Sequence, residues 1–126
     1  MPYAYDPQNI FARILRGEIP SKRVLETEHS IAFHDINPQA PTHILVIPRG
    51  PYVDYAHFAE AASEAEIVDF TRAVAKVARD LGVVQGDGGA GFRLLANAGP
   101  DSHQEVPHLH VHLFAGRPLG PMLVRS

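Results

Sequence analysis

The segment His108-Leu109-His110-Val111-His112-Leu113-Phe114 constrains this chain more than any other stretch of it. On an extended strand, successive side chains point to opposite faces. The alternation predicts a strand over 106–114, with His108, His110 and His112 on one face and Leu109, Val111 and Leu113 on the other. The apolar face needs a cover, and a long helix supplies it. Ser63-Glu64-Ala65-Glu66 is a capping box, with serine at the N-cap and glutamate three residues on. Ile67, Phe70, Val74, Val77 and Leu81 then recur every three or four residues as one apolar stripe, and Gly82 is a natural left-handed stop.

The remaining elements are short. Ile10, Phe11, Ile14 and Leu15 make one face of a helix over 10–15, capped by Asn9 and ended by Gly17 and Pro20. Strands are predicted over 23–28 and 30–35, with a turn near Glu28-His29. Two prolines make 37–41 a loop. The β-branched run Thr42–Pro48 is a buried strand, 91–97 is another, and the tail over 115–126 is irregular. Most connections are too short for parallel crossovers. The expected fold is α+β, an antiparallel five-stranded sheet with one long and one short helix. It forms a single domain over 1–126 with its core over 9–114.

Composition narrows the function. The chain has no cysteine and a net charge of -3, so neither a disulfide framework nor a broad basic surface is expected. The N-terminus lacks a basic segment followed by an apolar run, and no stretch approaches the roughly 18 apolar residues of a membrane span. The expectation is a soluble cytoplasmic protein without nucleic-acid or membrane partners. Gly86-Asp87-Gly88-Gly89-Ala90-Gly91 superficially looks like a dinucleotide fingerprint. It follows a helix and precedes a strand, the reverse of what that fingerprint needs, so it is a connection.

Three imidazoles on one sheet face admit three readings: a solvated surface, a metal site, or nucleophilic and acid–base catalysis. Alternate strand residues lie about 6.6 Å apart, which puts the outer two histidines about 13 Å apart. Zinc requires each nitrogen at about 2.0–2.1 Å, so all three cannot easily share one ion. Two could, with a third ligand such as His43 or His103. Catalysis suits the pattern better: a neutral imidazole attacks when its other nitrogen is held as a donor, and flanking histidines can bind the developing anion. His110, with a neighbour on each side, is the expected nucleophile.

Residues 108–114 fit the motif His-x-His-x-His-x-x with x apolar, and the chain here resembles the histidine triad (HIT) family. Phe33-His34-Asp35-Ile36-Asn37-Pro38-Gln39-Ala40-Pro41-Thr42-His43 is similar to the family's second block. Gln104-Glu105-Val106-Pro107, Gly116-Arg117-Pro118, Ile10-Phe11 and Glu18-Ile19-Pro20 match as well. The resemblance spans about 9–121 and is nearest the Hint branch, the purine nucleoside phosphoramidases. It implies a homodimer joining two sheets into one of ten strands, with a purine nucleotide site in each subunit.

It also implies a two-step hydrolysis through a nucleotidyl-histidine intermediate, without cofactor or metal. In it His110 attacks, the His108 carbonyl orients the His110 ring, His112 binds phosphate and helps the leaving group, and His43 completes the relay. Asp35 would take the ribose hydroxyls. Ile10, Phe11, Ile14, Ile19, Phe33, Ile36 and Leu45 would sandwich the base. Asn97 and the Gln104-Glu105-Val106 segment would border the phosphate and leaving group. The alternatives are a dinucleoside polyphosphate hydrolase, a nucleotide-binding module with incidental turnover, and a zinc-dependent hydrolase. His112 argues against the family's transferases, which carry glutamine there.

Two positions depart from the pattern. Some relatives have serine where this chain has Glu105, and glutamate donates a hydrogen bond only when protonated. His103 stands where relatives often have small residues and is expected to be a solvated loop residue. His29, His34 and His57 are expected at the surface.

Overall fold

The structure, a computed structural model, describes residues 3–123. Helix α1 (Ile10–Leu15) leads into strands β1 (Arg23–Glu26), β2 (Ser30–His34) and β3 (Thr42–Pro48). Helices α2 (Tyr55–Ala61) and α3 (Glu64–Asp80) follow, then β4 (Arg93–Leu95) and β5 (Val111–Ala115), with single 3₁₀ turns at Gln85–Asp87 and Pro100–Ser102. The five strands form one sheet in the order β1-β2-β3-β5-β4, and every neighbouring pair is antiparallel.

Period-2 alternation sorts β3 between two cores. Ile44 and Val46 face α3, where they pack with Phe70, Val74, Val77, Leu109, Val111 and Leu113. Leu45 and Ile47 face α1, where they meet Phe11, Ile14, Ile31 and Phe33. His43 is on this second face by the same alternation. The α3 stripe is buried at Phe70, Val74 and Val77 and partly buried at its ends, Ile67 and Leu81, and both halves of its capping box form. Asn9 caps α1, its side-chain oxygen accepting from the Ala12 N–H at 2.9 Å.

Several boundaries and one whole helix depart from expectation. Strand β5 starts at Val111, not at 106. Pro107 has no N–H to give a ladder, the His108 N–H folds back to the Val106 carbonyl at 2.9 Å, and the Leu109 N–H donates to the Tyr52 carbonyl at 2.8 Å. The segment 108–110 therefore keeps the alternation of side chains but is bonded to the 48–53 loop. Helix α2 adds a second short helix to the one expected. Of its residues only Phe58 is buried, so it carries no apolar stripe to betray it, and its signal is Asp54, whose side chain accepts from the His57 N–H at 2.9 Å. Ala115 belongs to β5 and not to the tail, and residues 124–126 of that tail lie outside the described residues. Strands β1, β2 and β4 are shorter than the runs that announced them. The glycine-rich 86–91 connects α3 to β4, as its position required.

Among the described residues no helix is long and apolar enough to cross a membrane.

Candidate active site

The α1 face of the sheet carries a cleft of about 490 Å³. Helix α1 contributes Ile10, Phe11 and Ile14, and the loop after it Ile19. The end of β2 contributes Phe33, Asp35 and Ile36, and β3 contributes Leu45. Asn97, Glu105 and Val106 form the opposite rim, and His110 and His112 form part of the wall. The sequence separates these residues by up to a hundred positions, and the antiparallel pairing of β2, β3 and β5 brings them together. The Phe11 ring meets His110 edge-on at 4.9 Å and Phe33 at 5.8 Å. Ile36 is 85% exposed at the mouth.

Gln104, expected at the site, does not line this cleft. Its side-chain amide donates to the Val53 carbonyl at 2.7 Å and the Val106 carbonyl at 3.0 Å, and its oxygen accepts from the Gly99 N–H at 3.0 Å. The amide is spent holding the 99–106 loop.

The histidine tautomers follow from partners that can only donate or only accept. A carbonyl only accepts, so His110 Nδ1–H donates to the His108 carbonyl at 2.8 Å. That leaves Nε2 of the neutral ring with a free lone pair. A backbone N–H only donates, so Nδ1 of His43 accepts from Gln39 at 3.2 Å. His43 Nε2 must then carry the proton, which it gives to Nδ1 of His112 at 2.9 Å. His112 in turn keeps its proton on Nε2. The site thus presents one lone pair, on His110, beside one ring N–H, on His112; their rings are 5.0 Å apart.

His108 does something different. Although the alternation placed it with the other two, its ring is wholly buried and lines no part of the cleft. Its Nε2–H donates to the Pro48 carbonyl at 2.8 Å, and its Nδ1 accepts from the Tyr5 hydroxyl at 2.7 Å. His43 is likewise buried, behind the wall.

Burial sets the charge state of the cluster. It pushes His108 down to about 4, against the opposing pull of the Pro48 carbonyl. It pushes His112 down to about 4, with His110 and His43 adding to the effect. It also lowers His110 and His43, although Asp35 pulls both the other way. Near pH 7 all four rings are neutral, the state in which imidazole is a nucleophile.

Asp35 makes one hydrogen bond and one close approach. Oδ1 accepts from the Asn37 N–H at 2.8 Å, closing the turn, and Oδ2 lies 3.4 Å from His43 Nε2. Asp35, His43 and His112 are also the residues whose donor atoms converge, within 4.8 Å of one another, as a metal site would require. Two of those atoms, His43 Nε2 and His112 Nδ1, are spent on each other. His103 takes no part in that cluster. It sits at the rim in a left-handed conformation (φ 63°), with Nε2 3.4 Å from Glu105 Oε1, and its side chain is 88% exposed. His34 is exposed at the cleft mouth. His29 and His57 lie at the surface but are partly covered: the His29 N–H reaches Asp69, and His57 accepts from the Val53 N–H at 2.9 Å.

Among the described residues lining the cleft there is no lysine or arginine, while Asp35 and Glu105 both line it. A second cavity, about 550 Å³, lies between α3 and β4. No histidine or carboxylate lines it, so it offers no chemistry.

Residues 16–119 match the HIT domain. The chain belongs to the HIT family. It is 62% identical to a 13.2 kDa HIT-like protein of Azospirillum brasilense over 126 residues, the full length of both. It is 41% identical to the purine nucleoside phosphoramidase of Escherichia coli (strain K12), over 94% of this chain and 96% of that protein. Its fold is similar to that of a histidine triad protein from Clostridium difficile, with a TM-score of 0.79 and 39% identity over 94% of this chain and 98% of that one.

Among the site residues that sequence reasoning missed are Ser21, Leu95, Ser102 and Phe114, which line the cleft, and Tyr5, Gln39 and Tyr52, which hold its histidines. Gln39 and Tyr52 act through backbone groups, which carry no residue signature, and Tyr5 lies outside every periodic segment.

Proposed function

We propose that this HIT-family chain is a cytoplasmic hydrolase that converts purine nucleoside 5′-phosphoramidates to the nucleoside monophosphate through a nucleotidyl-histidine intermediate. The observation that carries this reading is the His110 ring, neutral and tied at Nδ1, with its Nε2 lone pair free beside the cleft. Nε2 attacks the α-phosphorus, the P–N bond to the leaving amine breaks, and the amine takes the His112 Nε2–H, which a proton from solvent replaces so that His112 stays neutral. Water then attacks the phosphorus and gives up a proton to solvent, the His110–P bond breaks, and the monophosphate leaves. His43 supports this relay from behind, its Nε2–H holding His112 in that tautomer. Ile10, Phe11, Ile14, Ile19, Phe33, Ile36 and Leu45 hold the base, and Asp35 takes the ribose. Asn97, Glu105 and Val106 border the leaving group, while Gln104 acts only by holding their loop. The E. coli relative's activity supports the substrate class.

The cleft charge separates this from dinucleoside polyphosphate hydrolysis. A polyphosphate leaving group brings several negative charges to a rim with two carboxylates and no described cation, and like charges repel there. With adenosine 5′-phosphoramidate and diadenosine tetraphosphate offered in parallel to chelator-treated protein, AMP is expected from the first at a kcat/KM at least about 100-fold higher, a difference of about 2.7 kcal/mol. Equal rates, or activity only on the tetraphosphate, would refute the assignment.

The protein acts as a homodimer in this reading. Strand β4 is one of the two sheet edges, with Phe92 and Leu94 38% and 47% exposed beside the apolar cavity. An unpaired edge next to an apolar groove is a pairing surface. Light scattering should find wild type as a dimer and Leu94→Glu as a monomer; a monomeric wild type removes this part of the proposal.

A further inference from the structure

We propose that Tyr5 is a positioning residue for the His110 nucleophile, acting through the ring of His108. The inference rests on the hydrolase reading above and concerns a residue outside the triad motif.

Three hydrogen bonds run in series. The Tyr5 hydroxyl donates to His108 Nδ1 at 2.7 Å, His108 Nε2–H donates to the Pro48 carbonyl at 2.8 Å, and the His108 carbonyl accepts from His110 Nδ1–H at 2.8 Å. The direction of the first is not free. Pro48 offers only a carbonyl, so Nε2 must hold the single proton of the neutral ring, and Nδ1 can only accept. Tyr5 is therefore the partner that completes a buried ring, and the ring is held at both nitrogens.

That ring belongs to the residue whose carbonyl sets the His110 tautomer. The same peptide unit is gripped on its other side, where the Leu109 N–H donates to the Tyr52 carbonyl at 2.8 Å. With side chain and peptide both held, the His108 carbonyl has one orientation, and His110 has one ring position with its lone pair on Nε2. A nucleophile misplaced by about 1 Å can lose on the order of 100-fold in rate.

Tyr5 is itself anchored on both sides. The Asp6 carbonyl accepts from the Asn9 side chain at 2.7 Å, and the Pro7 carbonyl accepts from the Arg16 guanidinium at 2.8 Å. Tyr3 stacks on His57 at 4.3 Å. The arm ahead of α1 thus ties the helix that walls the cleft to the residue that orients the nucleophile.

The test is Tyr5→Phe, which keeps the edge-to-face contact with His108 (5.6 Å between centroids) and removes only the hydroxyl. With adenosine 5′-phosphoramidate, kcat is expected to fall about 10-fold, the rate equivalent of one lost buried hydrogen bond, while KM stays within about 2-fold. Histidine-selective ¹⁵N NMR gives a readout independent of activity. In wild type, His108 Nδ1 should show the shift of a hydrogen-bonded acceptor and His110 the Nδ1–H tautomer. In Tyr5→Phe the first should move toward a free imine nitrogen and the second should become mixed. An unchanged kcat, or a lower kcat with the His110 tautomer unaltered, overturns the proposal. If wild type does not hydrolyse the phosphoramidate, the hydrolase reading fails and the NMR comparison alone decides the role of Tyr5: unaltered His108 and His110 signals refute it.

Discussion

His110→Ala is expected to reduce turnover of adenosine 5′-phosphoramidate by on the order of 10⁴-fold or more while leaving AMP binding within a few-fold of wild type. The split follows from the proposed division of labour in the cleft. In that proposal binding draws on the apolar wall, from Phe11 to Leu45, and on Asp35, all of which line the cleft and none of which the substitution removes. Bond formation to phosphorus draws on a single lone pair. Neither neighbour can replace it: His108 has both ring nitrogens engaged away from the cleft, and His112 presents an N–H where His110 presents a lone pair. The substitution also strips the His108 carbonyl of its partner and leaves a gap beside Phe11, costing about 1–3 kcal/mol. Circular dichroism would confirm that the variant is folded. Residual turnover within about 10-fold of wild type would remove His110 as the nucleophile, and wild-type binding without turnover by either protein would favour a binding module.

The second large effect is loss of stability in acid. His43, His108, His110 and His112 are all held below the ordinary histidine value of 6.5, chiefly by burial. Between the folded and unfolded values, the unfolded chain binds protons that the folded chain refuses. Stability therefore rises with pH across that window. The contribution is fully present above 6.5 and is lost as pH falls toward about 4, where His108 and His112 at last protonate in place. For His108 alone the loss by pH 4 amounts to about 3 kcal/mol, a large share of the roughly 5–15 kcal/mol that holds a domain of this kind together. Urea midpoints should stay nearly constant from pH 8 to 7 and drop steadily from 6.5 to 4.5. A midpoint that holds or rises between pH 7 and 5 would mean that the cluster protonates without strain, and the burial argument would fail.

Much of the fold was legible in the chain because its signals are periodic and local. The stripe from Ile67 to Leu81, the capping box at Ser63 and the alternation in Thr42–Pro48 each encode one element through side chains close in sequence, and each formed where its pattern lay. Helix α2 was not legible, since a helix that buries only Phe58 shows no stripe. The histidine motif announced its chemistry, because three imidazoles at alternate positions are a poor core and a good site.

What the sequence by itself determined was which residue types would meet: an apolar sheet face against the long helix, and imidazoles gathered on the opposite face as a site. What only the tertiary structure decided was where each histidine ring lies and which tautomer it holds. Strict alternation treats His108, His110 and His112 as equals. The late start of β5 breaks that equality: ahead of it the His108 ring lies in the interior between Tyr5 and Pro48, and its carbonyl is left to accept from His110. His43, 69 residues before His112, fixes that ring's tautomer through one hydrogen bond. Gln104 sits inside the motif yet is spent on the Val53 and Val106 carbonyls. The physical reason is common to all three. A buried polar atom must find a partner, and the partner is set by which chain segments the sheet brings alongside it, something no local pattern of side chains encodes.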